Sequence, residues 1–248
     1  MTDRSKHAVT FLNRITQFDA DLELVDVIVS AIDNEELVDD NNGLLFKYVN
    51  KDKHPVLSKR KNIEDNRKLA INHLKQTVYA SYVKDVYEEF TAFLQGLIYE
   101  AFTNSKVNPE RIVGEHKVSM STVDILKYTE NNTLIEKVIE SIFQSLENER
   151  STLILINKTC KKLDLNINDN IKEQAIYYLE MRHILVHTDG KADNEFIRKH
   201  PNLRYTKKNY IVLNYATIST MRSNIKKLVS ALDQSALEKG IVRPHIGN

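Results

Sequence analysis

Six glycines and four prolines are all that 248 residues contain, where average usage would give these two types roughly 12% of a chain. Tight β-turns and phosphate-cradling loops depend on glycine's positive φ, so a β-sandwich, a β-barrel or a classical nucleotide fold is poorly supplied. The six glycines (Gly43, Gly96, Gly114, Gly190, Gly240, Gly247) lie far apart. No G-x-G-x-x-G or G-x-x-x-x-G-K runs through them, which excludes the common dinucleotide and P-loop signatures. With 42% hydrophobic residues a packed core is affordable, and the composition predicts an all-α globular chain.

Lys and Arg number 35 against 34 Asp and Glu, a net charge of +1. Nucleic-acid contact would therefore have to come from a local patch. The single cysteine, Cys160, excludes an internal disulfide and any C-x-x-C zinc or redox site. Residues 1–21 hold no apolar signal core, and the densest apolar stretches fall short of the roughly 18 residues that span a bilayer. The expectation is a soluble, cytoplasmic protein with no membrane partner and no cofactor.

Between Ile15 and Phe46 nine carboxylates stand without one Lys or Arg: Asp19, Asp21, Glu23, Asp26, Asp33, Glu35, Glu36, Asp39 and Asp40. A basic cluster follows, from Lys47 to Lys68, with Lys51, Lys53, Lys59, Arg60, Lys61 and Arg67. This reads as a solvated acidic helical arm and a polar linker through 50–58. The sharper alternative is an acidic element docked on a basic surface in competition with a polyanion. From Asn66 to Asn104, residues Leu74, Val78, Tyr82, Val86, Phe90, Phe93, Leu97 and Ile98 recur at steps of three and four, one buried helical stripe. Asn108-Pro109 is read as its end. Ser121-x-x-Asp124 and Thr133-x-x-Glu136 resemble capping boxes, another helix is predicted near 150–163, and Asn170-x-x-Glu173 would cap one running to about His187. A short helix at 193–199, a small ribbon of 203–205 with 210–213, and an amphipathic helix built on Ile218, Met221, Ile225, Leu228, Val229 and Leu232 complete the chain. The domain expectation is an acidic region and linker over 1–64, a bundle over 65–236 and a tail over 237–248.

The chemistry concentrates in Glu180-Met-Arg-His-Ile-Leu-Val-His-Thr-Asp-Gly190. At about 100° per residue, Ile171, Ala175, Tyr178, Leu179, Leu185 and Val186 share one face. Arg182 lies near its middle, so its guanidinium must be paired or must face a cleft. Glu180, His183 and His187 take the least apolar side. Arg182 and His187, five apart, diverge by about 140° on a regular helix. They could meet at one phosphate only across a two-fold axis, where each chain supplies both residues, or if a frayed last turn swings His187 inward.

Arg182-His-Ile-Leu-Val-His187, with Tyr178-Leu-Glu-Met before it, Thr188-Asp-Gly-Lys after it and a closing amphipathic helix, resembles the R-x4-H motif of the HEPN superfamily. These are helical domains of many prokaryotic toxins and antiphage ribonucleases, and the likeness covers about residues 70–235. It implies a HEPN-like bundle with a small ribbon or loop insertion before the last helix, a homodimer, and metal-independent RNA cleavage at a site shared by two protomers. Carried over, Arg182 would hold the scissile phosphate and stabilise charge on its oxygens. His187 would be the general base or acid, histidine being the side chain that ordinarily titrates near neutrality, and His183 would support the phosphate or its partner. Attack by the ribose 2′-hydroxyl would leave a 2′,3′-cyclic phosphate. The basic segment Lys191, Arg198, Lys199, Arg204, Lys207 and Lys208, with Tyr205 among them, is the expected RNA track, the alternative being a solvated surface loop.

Competing expectations follow from the same residues. One makes Arg182 structural, buried against Glu88, Glu89 or Glu100, in a non-catalytic dimer that binds a partner such as a nucleotidyltransferase-type antitoxin. His183 and His187 have H-x-x-x-H spacing, without the glutamate of the zinc-peptidase motif (Ile184 stands there) and with no third ligand evident beyond His200 or Asp189 as candidates. Cys160 reads as a small buried residue rather than a nucleophile.

Overall fold

Helices dominate the computed structural model, which describes residues 3–37, 45–60, 65–104, 106–130, 133–149 and 151–246. Asp39, Asp40, Gly43, Lys61 and Gly247, named above, lie outside them. Helix α1 (Lys6–Asp33) is capped by the Ser5 hydroxyl, which accepts from the Ala8 amide. A 3₁₀ turn (Leu45–Tyr48) and the short α2 (Pro55–Arg60) follow, so the expected linker is partly helical. Helix α3 (Asn66–Leu74) runs through one π-turn (Lys75–Tyr79) into α4 (Ala80–Thr103). Of the predicted stripe, Tyr82, Val86, Phe90, Phe93, Leu97 and Ile98 are buried, and Leu74 and Val78 pack half-buried beside them.

Asn108-Pro109 starts a helix instead of ending one. The Asn108 side chain accepts from the Glu110 amide and Pro109 takes the first position of α5 (Pro109–Val113), where its missing N–H has no partner to lose; α4 has already stopped at Asn104. Helix α6 (Thr122–Glu130) has the predicted box, Ser121 accepting from the Asp124 amide and donating to its carboxylate at 2.6 Å. Thr133 precedes α7 (Leu134–Glu147) without a side-chain cap bond. Ser151 caps α8 (Thr152–Leu163), and Asn168, two residues before the expected Asn170, caps α9 (Asp169–His187). Asp193 caps α10 (Asn194–Lys199) and Asn214 caps α11 (Tyr215–Glu238). The ribbon reduces to isolated bridges, Lys191 with Tyr210 and Tyr205 with Ile211.

Helix α4 is the centre, with α1, α7, α8, α9 and α11 packed on it. One hydrophobic cluster extends from Ala8 to Val242, so the core does not divide at residue 65. Phe11, Ile15, Leu22, Val25 and Val29 of α1 are buried in it, and so are Ile241 and Val242 of the expected tail. Of the nine clustered carboxylates, Asp19 does dock on a basic surface. It accepts from the Tyr82 hydroxyl (3.0 Å) and pairs with Arg222 (3.1 Å) and Lys226 (3.2 Å) of α11. Because α1 supplies core side chains, truncation at residue 65 removes part of the fold rather than a detachable arm.

Helix α1 presses on α4 at Gly96, where a Cβ would overlap the His7 ring, 2.8 Å from its Cγ. The ring cannot retreat freely, since its Nε2 lies 2.9 Å from Glu100. Gly96→Ala should therefore lower stability by about 1–2 kcal/mol, overpacking outweighing the roughly 1 kcal/mol that alanine gains in a helix. Thermal unfolding of Gly96→Ala with and without His7→Ala checks this: the second change should restore the loss, and an additive pair would contradict it.

Candidate functional site

Helix α9 ends in a regular turn. The Thr188 amide donates to the Ile184 carbonyl at 3.1 Å, and the Thr188 hydroxyl ties that carbonyl to the one at Lys191. The chain then reverses through Asp189 (φ 50°) and Gly190 (φ 86°), a left-handed pair that glycine accommodates without strain. His187 is thus held on the helix, exposed, and is not swung inward by fraying. Val186, predicted for the core face, is 38% exposed beside it.

A cleft of about 360 Å³ opens along the other side of this turn, between α9, the end of α7, the start of α8 and the 191–199 segment. Arg182 and His183 line it; His187 does not. Arg182 is half-buried, and its guanidinium lies 5.2 Å from the Tyr87 ring centroid, within cation–π range. Among the described residues it has no carboxylate partner. Glu100 is engaged by His7 and Glu89 by Arg14 at 3.8 Å, while Glu88 is exposed. The pairing expected of a purely structural arginine is not there: Arg182 faces the cleft. His183 and His187 both reach solvent, their ring centroids 4.7 Å apart. The 140° divergence of Arg182 and His187 remains within this chain, with His183 bridging the gap.

Glu180 departs most from its sequence reading. Placed on the polar side of α9, it is 8% exposed and forms the hub of a buried polar cluster. Its carboxylate accepts from the Ser151 hydroxyl (2.7 Å), Lys199 Nζ (2.8 Å) and His200 Nε2 (2.8 Å). Burial alone would raise its pKa. The bonds from His200, Lys199 and Ser151 outweigh that and hold it near 2, so the group is ionised. The ionised carboxylate only accepts, which assigns a proton to His200 Nε2, and Nδ1 is buried without a hydrogen bond. The cluster ties α8, α9 and α10 together at the rim of the cleft. Neither Glu180 nor Tyr87 is legible locally: Lys199 and His200 lie some 20 residues away in sequence, and Tyr87 sits beside the apolar stripe of α4.

The predicted RNA track divides. Lys191 and Lys199 line the cleft, but Lys199 is engaged by Glu180. Arg204, Lys207 and Lys208 are exposed beyond it, and Arg198 bonds back to the Asn194 carbonyl. Tyr205 is half-buried and donates its hydroxyl to the His200 carbonyl (3.0 Å), and burial pushes its pKa up to about 12. Glu147, Glu149, Asp193 and Glu195 also line the cleft, with Glu149 paired to Lys158 and Asp193 engaged as the α10 cap. Cys160 is buried, its thiol pushed up to about 11 by burial, the inert state expected of it. His200, bound to Glu180, is not a third ligand for the histidine pair. No cluster of three or more metal-ligating side chains occurs among the described residues, and none of the described helices is long and apolar enough to cross a membrane.

No protein-family model, curated protein or solved structure matches this chain. The resemblance at 178–190 therefore rests on those residues and on their place at the exposed end of α9.

Proposed function

We propose that this protein is a metal-independent endoribonuclease of the HEPN type, acting as a homodimer at a site to which each protomer brings Arg182 and His187. The observation that carries the reading is a half-buried arginine that faces a cleft and, among the described residues, has no carboxylate within salt-bridge distance. Such a guanidinium is available to a phosphate oxygen. The exposed end of α9, with His183, Val186 and His187 on its surface, suits a two-fold contact that would bring the partner's histidines over the cleft. Arg182 would clamp the scissile phosphate, His187 would take the proton of the attacking 2′-hydroxyl, and His183 would position one of them. Lys191 and the exposed Arg198, Arg204, Lys207 and Lys208 would lead the strand past the site. An activity of this kind must be restrained in a cell, which fits a toxin or antiviral effector with a regulatory partner.

Glu147 and Glu195, which line the cleft and have no ion-pair partner among the described residues, favour a second reading, a non-catalytic dimer whose cleft receives a basic segment of another protein. One assay separates the two. Purified protein in EDTA is incubated with end-labelled tRNA and total RNA. Cleavage leaving 2′,3′-cyclic phosphate ends, with DNA of the same sequence intact, is expected of the ribonuclease. A folded dimer that cleaves none of these RNAs and captures a basic protein partner supports the module instead.

A further inference from the structure

The eight histidines are not equivalent. His7, His54, His73, His116 and His200 each have a polar side-chain or backbone partner at 2.8–3.5 Å. Among the described residues, the rings of His183, His187 and His245 have none, and of these three only His183 and His187 meet each other, centroids 4.7 Å apart and planes tilted by 49°. Spaced i and i+4, they rise from the same side of α9, and both are open to solvent.

We propose that His183 and His187 form a site for one borderline transition cation, Zn²⁺, Ni²⁺ or Cu²⁺. Two imidazole nitrogens, each about 2.0–2.1 Å from a tetrahedral ion, stand roughly 3.3 Å apart. The rings, with centroids 4.7 Å apart, can each turn one nitrogen toward a common ion by rotating about exposed side-chain bonds. Neutral imidazole selects Zn²⁺, Ni²⁺ and Cu²⁺ in rising order of affinity from zinc and nickel to copper, and rejects Mg²⁺ and Ca²⁺, which seek oxygen ligands. With no third side chain to close the sphere among the described residues, water completes it, and the bound ion exchanges readily with chelators.

On the ribonuclease reading, this ion inhibits. It takes the lone pair that His187 needs to accept a proton, so an enzyme that requires no metal is silenced by one. That consequence rests on the proposed activity; the site itself does not.

The test uses the full chain, stripped with EDTA and dialysed, titrated with ZnCl₂, NiCl₂ and MgCl₂ while its imidazole NMR signals and the heat of binding are followed. Two imidazoles should shift together with Zn²⁺ at one ion per chain, and these should be the signals missing from His183→Ala and from His187→Ala. Each substitution should weaken Zn²⁺ binding at least tenfold, since losing even an outer-sphere partner has that effect. His245→Ala should leave the affinity unchanged, and Mg²⁺ should shift neither ring. Both substituted positions are exposed, so the variants fold, which circular dichroism verifies. Undiminished affinity in either histidine variant overturns the site, and one ion per two chains overturns its water-completed form. Cleavage that persists at full Zn²⁺ occupancy counts against His187 as the base, and absence of cleavage under every condition counts against the ribonuclease; neither outcome touches the binding result.

Discussion

Arg182→Ala and His187→Ala should each abolish measurable RNA cleavage while leaving a folded dimer. Loss of a positioned general base lowers rates by about 10²–10⁴-fold, and loss of one charge-stabilising donor by about 10²–10³-fold. The stability effect should be small by comparison. His187 is exposed, and Arg182 contributes only its contact with Tyr87, a cation–π interaction of about 0.5–2 kcal/mol. Arg182→Lys keeps the charge but loses the planar fork and should recover little of the rate. Because Arg182 and His187 diverge on one helix, mixing the two inactive alanine variants gives a direct check on the shared site. Subunit exchange should return part of the activity, through heterodimers in which an intact arginine and an intact histidine face each other. A self-sufficient protomer would give no recovery in the mixture. Unaltered cleavage in either single variant would remove the proposed mechanism.

Glu180→Leu should be strongly destabilising. Removing the carboxylate leaves Lys199, His200 and the Ser151 hydroxyl without their common acceptor, with His200 itself 1% exposed. Lys199 is half exposed and can turn to water, so the expected loss is about 2–3 kcal/mol rather than the 3–5 of a fully buried broken pair. For a chain of this length that lowers Tm by about 4–12 °C. The pH dependence has a definite sign. The Glu180 pKa falls from 4.5 to about 2 on folding, so its contribution is complete above pH 4.5 and is lost as pH falls toward 2. Unfolding measured between pH 6 and pH 2.5 should show wild type and Glu180→Leu converging as the pH drops; a constant gap would refute the ionised hub. Since the cluster fastens α10 and Lys191 beside Arg182, partial loss of function is expected with the loss of stability.

Much of the fold was legible in the chain. Scarcity of glycine and proline, the three- and four-residue spacing of apolar side chains over 74–98 and 218–232, and the polar cap at Ser121 are local signals, and the helices they mark are there. Arg182 on an apolar face implied either a partner or a cleft from periodicity alone. The misreadings have a common cause. Asn108-Pro109 reads equally as a stop or as a start, because an Asn before Pro can follow one helix and cap the next. Helix α1 looked like a solvated arm since charge counts weigh its carboxylates and overlook Phe11, Ile15 and Leu22 on its opposite face.

The helical class, the positions of most helices and the choice facing Arg182 follow from interactions within a few residues and are written locally in the chain. The tertiary structure alone decided that Arg182 opens onto a cleft over Tyr87, that Glu180 is buried and ionised among groups from three helices, and that α1 and the 241–242 segment complete one core. The physical reason is separation along the chain. Burial and pairing energies depend on neighbours some 20 to 200 residues away, as from Glu180 to His200 and from Asp19 to Arg222, and only the packed chain brings those neighbours together.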